Sequence, residues 1–225
     1  SLPHTVEVHP ENNQMAIIAW KSPVSGYVSI TGSVVDAHVA GGDGIKWFID
    51  KNSSNLAYGS YGDGGSQDFA NGTNGSNLNS IAVNTNDILY LVVHPNQSDT
   101  ADTTRVNLFI NVTSPPPPTG TPFPCATWDL DTDFRVSPNE ENPNRDSCNN
   151  LDVWKFMQSA NLTRDPASYT LLSNFTNMGK MGEQRIGLNE WRGTYSDPWG
   201  TYPITGYNAT GTTQTSGQAV WPPNT

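Results

Sequence analysis

The stretch TSPPPPTGTPFP, residues 113–124, constrains the fold of this chain more than any other. Pro115, Pro116, Pro117 and Pro118 have no N–H to give to a ladder and favour extended polyproline II. At ~3.1 Å per residue, such a segment reaches about 37 Å. It reads as a semi-rigid spacer that divides the 225 residues into 1–112 and 125–225.

Upstream of the spacer, β signals dominate. MAIIAW (15–20), GYVSITGSVVD (26–36), GIKWFID (44–50), NLAYGSY (55–61), DILYLVVH (87–94) and RVNLFINV (105–112) are β-branched or aromatic runs separated by Gly-Asp, Asn-Gly and Gly-Gly turns. In the second run Tyr27, Ser29 and Thr31 alternate with Val28, Ile30 and Gly32, which predicts one wet and one buried face. Antiparallel strands at this spacing predict a β-sandwich of jelly-roll type over residues 1–112.

Downstream the pattern thins. VWKFM, SYTLLSNF and WRGTYSDPWGTYPITGY are separated by long polar stretches, and five tryptophans are present: Trp128, Trp154, Trp191, Trp199 and Trp221. Residues 125–225 therefore read as a β-rich half-module that needs another sheet to close its core.

Composition narrows the function. Charged residues make up 14% of the chain and the formal net charge is -10, which argues against nucleic-acid binding and against an anionic membrane surface. No apolar run approaches the ~18 residues of a membrane span. Asn-x-Ser/Thr occurs at Asn52, Asn71, Asn74, Asn96, Asn111, Asn161, Asn174 and Asn208, mostly in turn-rich surroundings, which points to a glycosylated extracellular protein. Such a protein is expected in mature form, without its signal peptide. Cys125 and Cys148 share one polar stretch, where a local disulfide fits an oxidising compartment better than a catalytic thiol or metal site.

Catalytic motifs are missing: there is no nucleophile elbow, zinc-protease helix, P-loop or dinucleotide fingerprint. His4, His9, His38 and His94 are scattered, and His9 and His94 precede prolines, as strand ends do. Glu140–Glu141 and Glu183–Glu190 are not placed across a cleft by anything in the sequence. An enzyme is not expected, nor a resident cofactor beyond a candidate structural calcium. In WDLDTDF, Asp129, Asp131 and Asp133 share a face if extended, and Asp99 and Asp102 form a second candidate calcium group. A solvated or hydrogen-bonded strand edge is the plainer reading of the first. Trp191, Tyr195, Trp199, Tyr202, Tyr207 and Trp221 are candidates for sugar or assembly contacts, with core packing as the competing role.

His9, Pro10, Trp20, Pro23, Gly26, Tyr27, Ile30 and Gly32 carry a resemblance to a module of bacterial secreted and surface proteins with sorting-signal C-termini. The resemblance covers most of residues 5–112 and implies a jelly roll akin to carbohydrate-binding modules. In that family the His-Pro strand follows a half whose motifs are similar to Asp133-Phe134, Asn142-Pro143-Asn144, Trp154 and Pro222-Pro223-Asn224-Thr225. Here these lie downstream of the spacer, so the halves stand in swapped order. Pro3-x-Thr5 and Pro223-x-Thr225 share a spacing, as though a further copy would continue from Thr225 into Val6. Three arrangements follow: completion of a neighbouring chain head-to-tail, a circular permutant folded on itself, or one register of a longer covalent repeat. Ser114 and Pro115–Pro118 also resemble the Ser-Pro-rich glycomodules of plant and green-algal extensins, which implies hydroxylated, glycosylated prolines.

The expectation is a secreted, N-glycosylated, all-β structural protein bearing covalent glycans, whose partner is itself, in a head-to-tail filament or surface layer. The alternative is a closed, monomeric carbohydrate-binding module whose partner is a polysaccharide.

Overall fold

The alternation of residues 26–36 becomes a single long strand: Val28, Ile30 and Val34 are buried while Tyr27 and Thr31 face water. The computed structural model describes residues 5–38, 41–113, 125–136, 141–177, 188–197 and 200–208. In chain order the strands are β1 (Val6–His9), β2 (Ala16–Lys21), β3 (Gly26–Asp36), β4 (Ile45–Lys51), β5 (Ser54–Tyr61), β6 (Ser66–Asp68), β7 (Ile81–Val83), β8 (Ile88–His94) and β9 (Thr104–Val112). Past the proline-rich segment come β10 (Thr127–Asp129), a helix α1 (Leu130–Val136), β11 (Trp154–Gln158), β12 (Thr170–Leu171), β13 (Asn174–Asn177), β14 (Leu188–Asp197) and β15 (Gly200–Asn208).

These strands form two antiparallel sheets. One runs β13-β14-β15-β1-β9-β3-β6, with β10 also on β9 and β7 on β3; the other runs β12-β11-β2-β8-β4-β5. Their inner faces meet in one apolar core that includes Val6, Val28, Ile30, Leu108 and Ile110 from the first sheet and Ile18, Trp20, Trp47, Leu91 and Phe156 from the second. The all-β expectation and the facing antiparallel sheets hold. An interior gap lined by Trp20, Ile30, Leu91 and Leu108 encloses about 10 Å³, room for a single water at most.

Gly32 sits at the crossing of β3 over β9 with φ +128°, and a Cβ there would meet the Asn107 carbonyl oxygen. Only glycine takes that backbone without strain.

Two expectations change. Residues 125–225 are richer in strands than the sequence suggests, because β13, β14 and β15 pair in succession and add to the first sheet through β1. WDLDTDF is not one extended strand: after β10 the chain turns into α1, so Asp129, Asp131 and Asp133 do not share a strand face. Asp129 Oδ1 accepts from Asp131 N at 3.1 Å and Oδ2 from Thr132 Oγ1 at 2.7 Å, which caps the helix. Leu130 and Phe134, four apart on one helix face, are both buried in the core.

Candidate functional site

The chain after the proline-rich segment reaches the chain before it at three places, and together these form the candidate site. The first is the free edge of β2. There β11 adds a strand with Trp154 opposite Trp20, Phe156 opposite Ile18 and Gln158 opposite Ala16. Trp154 and Phe156 are fully buried, and burying each such ring contributes ~2–3 kcal/mol gross. On the far edge of β11 stands Asn142, from the Asn-Pro-Asn run of residues 142–144. Its Oδ1 accepts from Phe156 N at 3.0 Å, and its Nδ2 donates to the carbonyls of Phe156 and Leu172 at 2.7 and 2.8 Å. Asn144 uses its backbone instead: its N–H donates to the Trp154 carbonyl at 2.6 Å and its carbonyl accepts from Trp154 N at 2.9 Å.

The second place is the outer face of that sheet. Met15, Ile17, Ala19, Tyr90 and Val92 form a small apolar cluster there, covered by Tyr169 and Leu162. Arg164 anchors the covering loop: its guanidinium stands 4.0 Å over the Phe48 ring and Nη1 donates to both oxygens of the buried Asp50 at 2.7 and 2.9 Å. Met15 N donates to Ser159 Oγ at 2.8 Å.

The third place is the other sheet. β15 runs beside β1 with Tyr207 opposite Val6 and Ile204 opposite His9. β1 and β10 then share one edge of β9, against Thr104–Val106 and Phe109–Asn111 respectively. Val112 N donates to the Ala126 carbonyl at 2.9 Å, so the flanks of the proline-rich segment are hydrogen-bonded to each other in this closed chain.

Two tryptophan–aspartate pairs lock the start of the second half. Trp128, edge-on to Trp20 with centroids 5.0 Å apart, donates Nε1–H to Asp146 Oδ2 at 2.7 Å. Trp154 donates to Asp133 Oδ2 at 2.8 Å, and Ser147 N donates to Asp133 Oδ1 at 2.8 Å. Burial pushes the Asp133 carboxyl up, against these bonds. The expected disulfide joins Cys125 to Cys148, with Cα atoms 6.0 Å apart. Asp146 lies within reach of both sulfurs, but those sulfurs are bonded to each other, and its own oxygens accept from Trp128, Cys148 N and Asn150. The trio is a structural staple with no ligand sites left for a metal. The sequence does not single out either pair, because residues 128–154 offer two indoles five aspartates and two glutamates among many other polar side chains.

The remaining candidates scatter. Asn71, Asn74 and Asn161 are exposed. Asn52 donates to Asp87 and accepts from Ile88 N, Asn96 donates to Asp43, and Asn174 donates to the Gly193 carbonyl. Asn111 lies within β9 and accepts from Thr127 Oγ1. Asn208 ends β15. Trp191 is buried against Phe175 at 5.1 Å, the packing role rather than a surface contact in this chain. For Tyr195, Tyr202 and Tyr207 only the backbone is described, and Trp199, Trp221, Pro115, Pro116, Pro117, Pro118, His4, Glu140 and Glu183 lie outside the described residues.

His9 and His94 end β1 and β8, as expected. Burial, then Lys46 and Arg164, hold the His94 imidazole below its ordinary value. Glu190 pairs with Arg192 at 2.6 Å. Of the calcium candidates, Asp129 is committed to its helix cap and Asp131 donates its N–H to it. Asp102 is buried, and the structure adds Asp43 and Asp36 to its surroundings. Desolvation, then the charges of Asp43, Asp99 and Asp36, push the Asp102 carboxyl up to about 9.

Among the described residues no helix is long and apolar enough to cross a membrane. No protein-family model matches the chain, and no curated protein or solved structure matches it either, so its function is read from the geometry alone.

Proposed function

We propose that this is an extracellular, glycosylated structural subunit with jelly-roll-like sheets, assembled head-to-tail by exchange of complementary half-modules. The observation that carries the reading is the closure at Val112 and Ala126. To pair residues 125–208 with its own first half, the chain must leave β9 and return to the same edge, with four consecutive prolines in between. Polyproline favours extension, so closure on itself works against the segment's own stiffness. Docking the same strands on a neighbour keeps every contact described above and lets the segment run straight. This is the logic of domain exchange: identical contacts, different chains, with the hinge deciding.

The seams suit such exchange. Without residues 125–208, the β2 edge and the apolar faces around Trp20 and Ile17 would be open, and an open edge is a template for strand addition. The seams are fully paired: five residue pairs join β11 to β2, four join β15 to β1 and three join β10 to β9. Eight sequons and the extensin-like Ser-Pro run agree with an extracellular location and covalent glycans on the assembled surface.

Electron microscopy of native material, with light scattering on the isolated chain, tests this. Fibres with one chain per repeat and concentration-dependent mass are expected. A monodisperse monomer at all concentrations would refute it. The second reading, a carbohydrate-binding module, is favoured by the exposed Tyr58 stacked on Phe48 at 6.2 Å and predicts retention of that monomer on a polysaccharide column.

A further inference from the structure

We propose that Asp102 and Asp43 bind a calcium ion at the end of the sheets where the β3–β4 and β8–β9 connections meet. Asp102 is only 3% exposed, and neither of its carboxylate oxygens has a hydrogen-bond donor. Asp43 Oδ1 is likewise buried without a donor, while its Oδ2 accepts from Asn96 Nδ2 and Gln97 N, both at 3.0 Å. The charges that bear on Asp102 are all carboxylates, Asp43 first, then Asp99 and Asp36. Three buried, donorless oxygens on two neighbouring carboxyl groups are strongly unfavourable as anions, and are relieved by a proton on Asp102 or by a cation that joins them.

The surroundings specify the class of cation. Asp36 is already used to shape the loop, accepting from His38 N and Gly64 N at 2.7 Å each. Gly42 lies beside the site: a Cβ there would stand 2.6 Å from the Thr100 carbonyl oxygen and 3.6 Å from Asp102 Oδ1. A backbone carbonyl and a carboxylate oxygen thus border one small volume that any side chain would fill. The donors are all oxygens, with Asp102 able to bind through both of its own, which selects a hard cation of calcium type over zinc or copper. Asp99 adds charge from outside and ties the site to the turn between β1 and β2, since its N–H donates to Asn12 Oδ1 at 3.0 Å. The ion would clamp three loops at one end of both sheets, however the chains assemble.

The test uses the full chain stripped with a chelator, then titrated with calcium by calorimetry and with terbium by luminescence. Tyr61, whose hydroxyl bonds Thr104 Oγ1 at 2.8 Å and whose electrostatic neighbours include Asp102 and Asp36, serves as the antenna. Expected are one calcium per chain, terbium emission displaced by calcium but weakly by magnesium, and at least a tenfold loss of affinity in Asp102→Asn and in Asp43→Asn. Gly42→Ala weakens binding while leaving both carboxylates in place, and the wild-type titration decides the matter should a variant fail to fold. No calcium binding by the wild type, or binding by both Asn variants at wild-type strength, would overturn the proposal.

Discussion

Replacing Asp146 by alanine tests whether the second half is held by its buried indole–carboxylate bonds. Asp146 is 2% exposed and accepts from Trp128 Nε1 (2.7 Å), Asn150 Nδ2 (2.7 Å), Asn150 N (2.8 Å) and Cys148 N (3.0 Å). Asn150 and Cys148 are partly exposed and recover water in the variant, so their loss is small. The Trp128 indole is fully buried against Trp20 and is left with no acceptor, at ~1–3 kcal/mol. The lost bond to a charged acceptor and the loosened disulfide loop bring the total to ~3–4 kcal/mol. At ~2–4 °C per kcal/mol for a domain of this size, Tm falls by roughly 6–16 °C. Scanning calorimetry on the oxidised chain reads this directly. Trp128→Phe and the double variant close a cycle, and the coupling between the two residues should be ~1.5–3 kcal/mol. A drop under about 2 °C, or a coupling near zero, would refute the assignment of this bond as a lock.

Gly32→Ala places a methyl on the Asn107 carbonyl at φ +128°, so the cost should exceed ~2 kcal/mol in a denaturant melt. The bond from Asn84 N, then those from Asn52 and Lys51, hold the Asp87 carboxyl at about 2, below its ordinary value. Its contribution is therefore complete above the ordinary carboxylate range and is lost as pH falls toward 2. Asp87→Asn should flatten that acid limb by under ~1 kcal/mol at so wet a site, as measured by melts between pH 2 and 5. Asn71→Gln, Asn74→Gln and Asn161→Gln should leave the unglycosylated chain within ~0.5 kcal/mol, whereas Asn52→Gln loses bonds to Ile88 N and Asp87 at φ +51° and costs ~1–2 kcal/mol.

What the sequence made legible follows from how local each signal is. The six runs before the proline segment became β2, β3, β4, β5, β8 and β9 within a residue at each end, because β-branched alternation and Gly-Asp or Asn-Gly turns act over a few neighbours. β14 and β15 were weaker to the eye. The β14 run LNEWRGTYSD carries glycine and polar residues, and its pairing with β15 shows instead in the register that sets Asp197 opposite Gly200. WDLDTDF misled because alternating aspartates suit a strand face as well as a helix start; what decided for the helix was Asp129 as a cap together with Leu130 and Phe134 four apart.

The site was legible in part. Cys125 and Cys148 announced their bond, but the acceptors of the Trp128 and Trp154 indoles could not be named from sequence, since the partners lie 18 and 21 residues away among several other carboxylates. Asp99 and Asp102 stood out as a pair. Asp43 did not, because it is brought to Asp102 only when the connections after β3 and β8 meet. The edge of β2 as a docking place was equally hidden: AIIAWK is apolar at nearly every position, which says that both faces are covered without saying by what.

The central claim, exchange of half-modules between chains, is tested most directly by a cysteine pair across the β2–β11 seam. Ala19 and Lys155 stand opposite each other there, within disulfide reach for an antiparallel pair. Chains carrying Ala19→Cys and Lys155→Cys are assembled, oxidised and run without reductant. The account predicts a ladder of covalent dimers, trimers and longer species from the assembled fraction. Monomers alone from that fraction, each closed on its own β11, would contradict it.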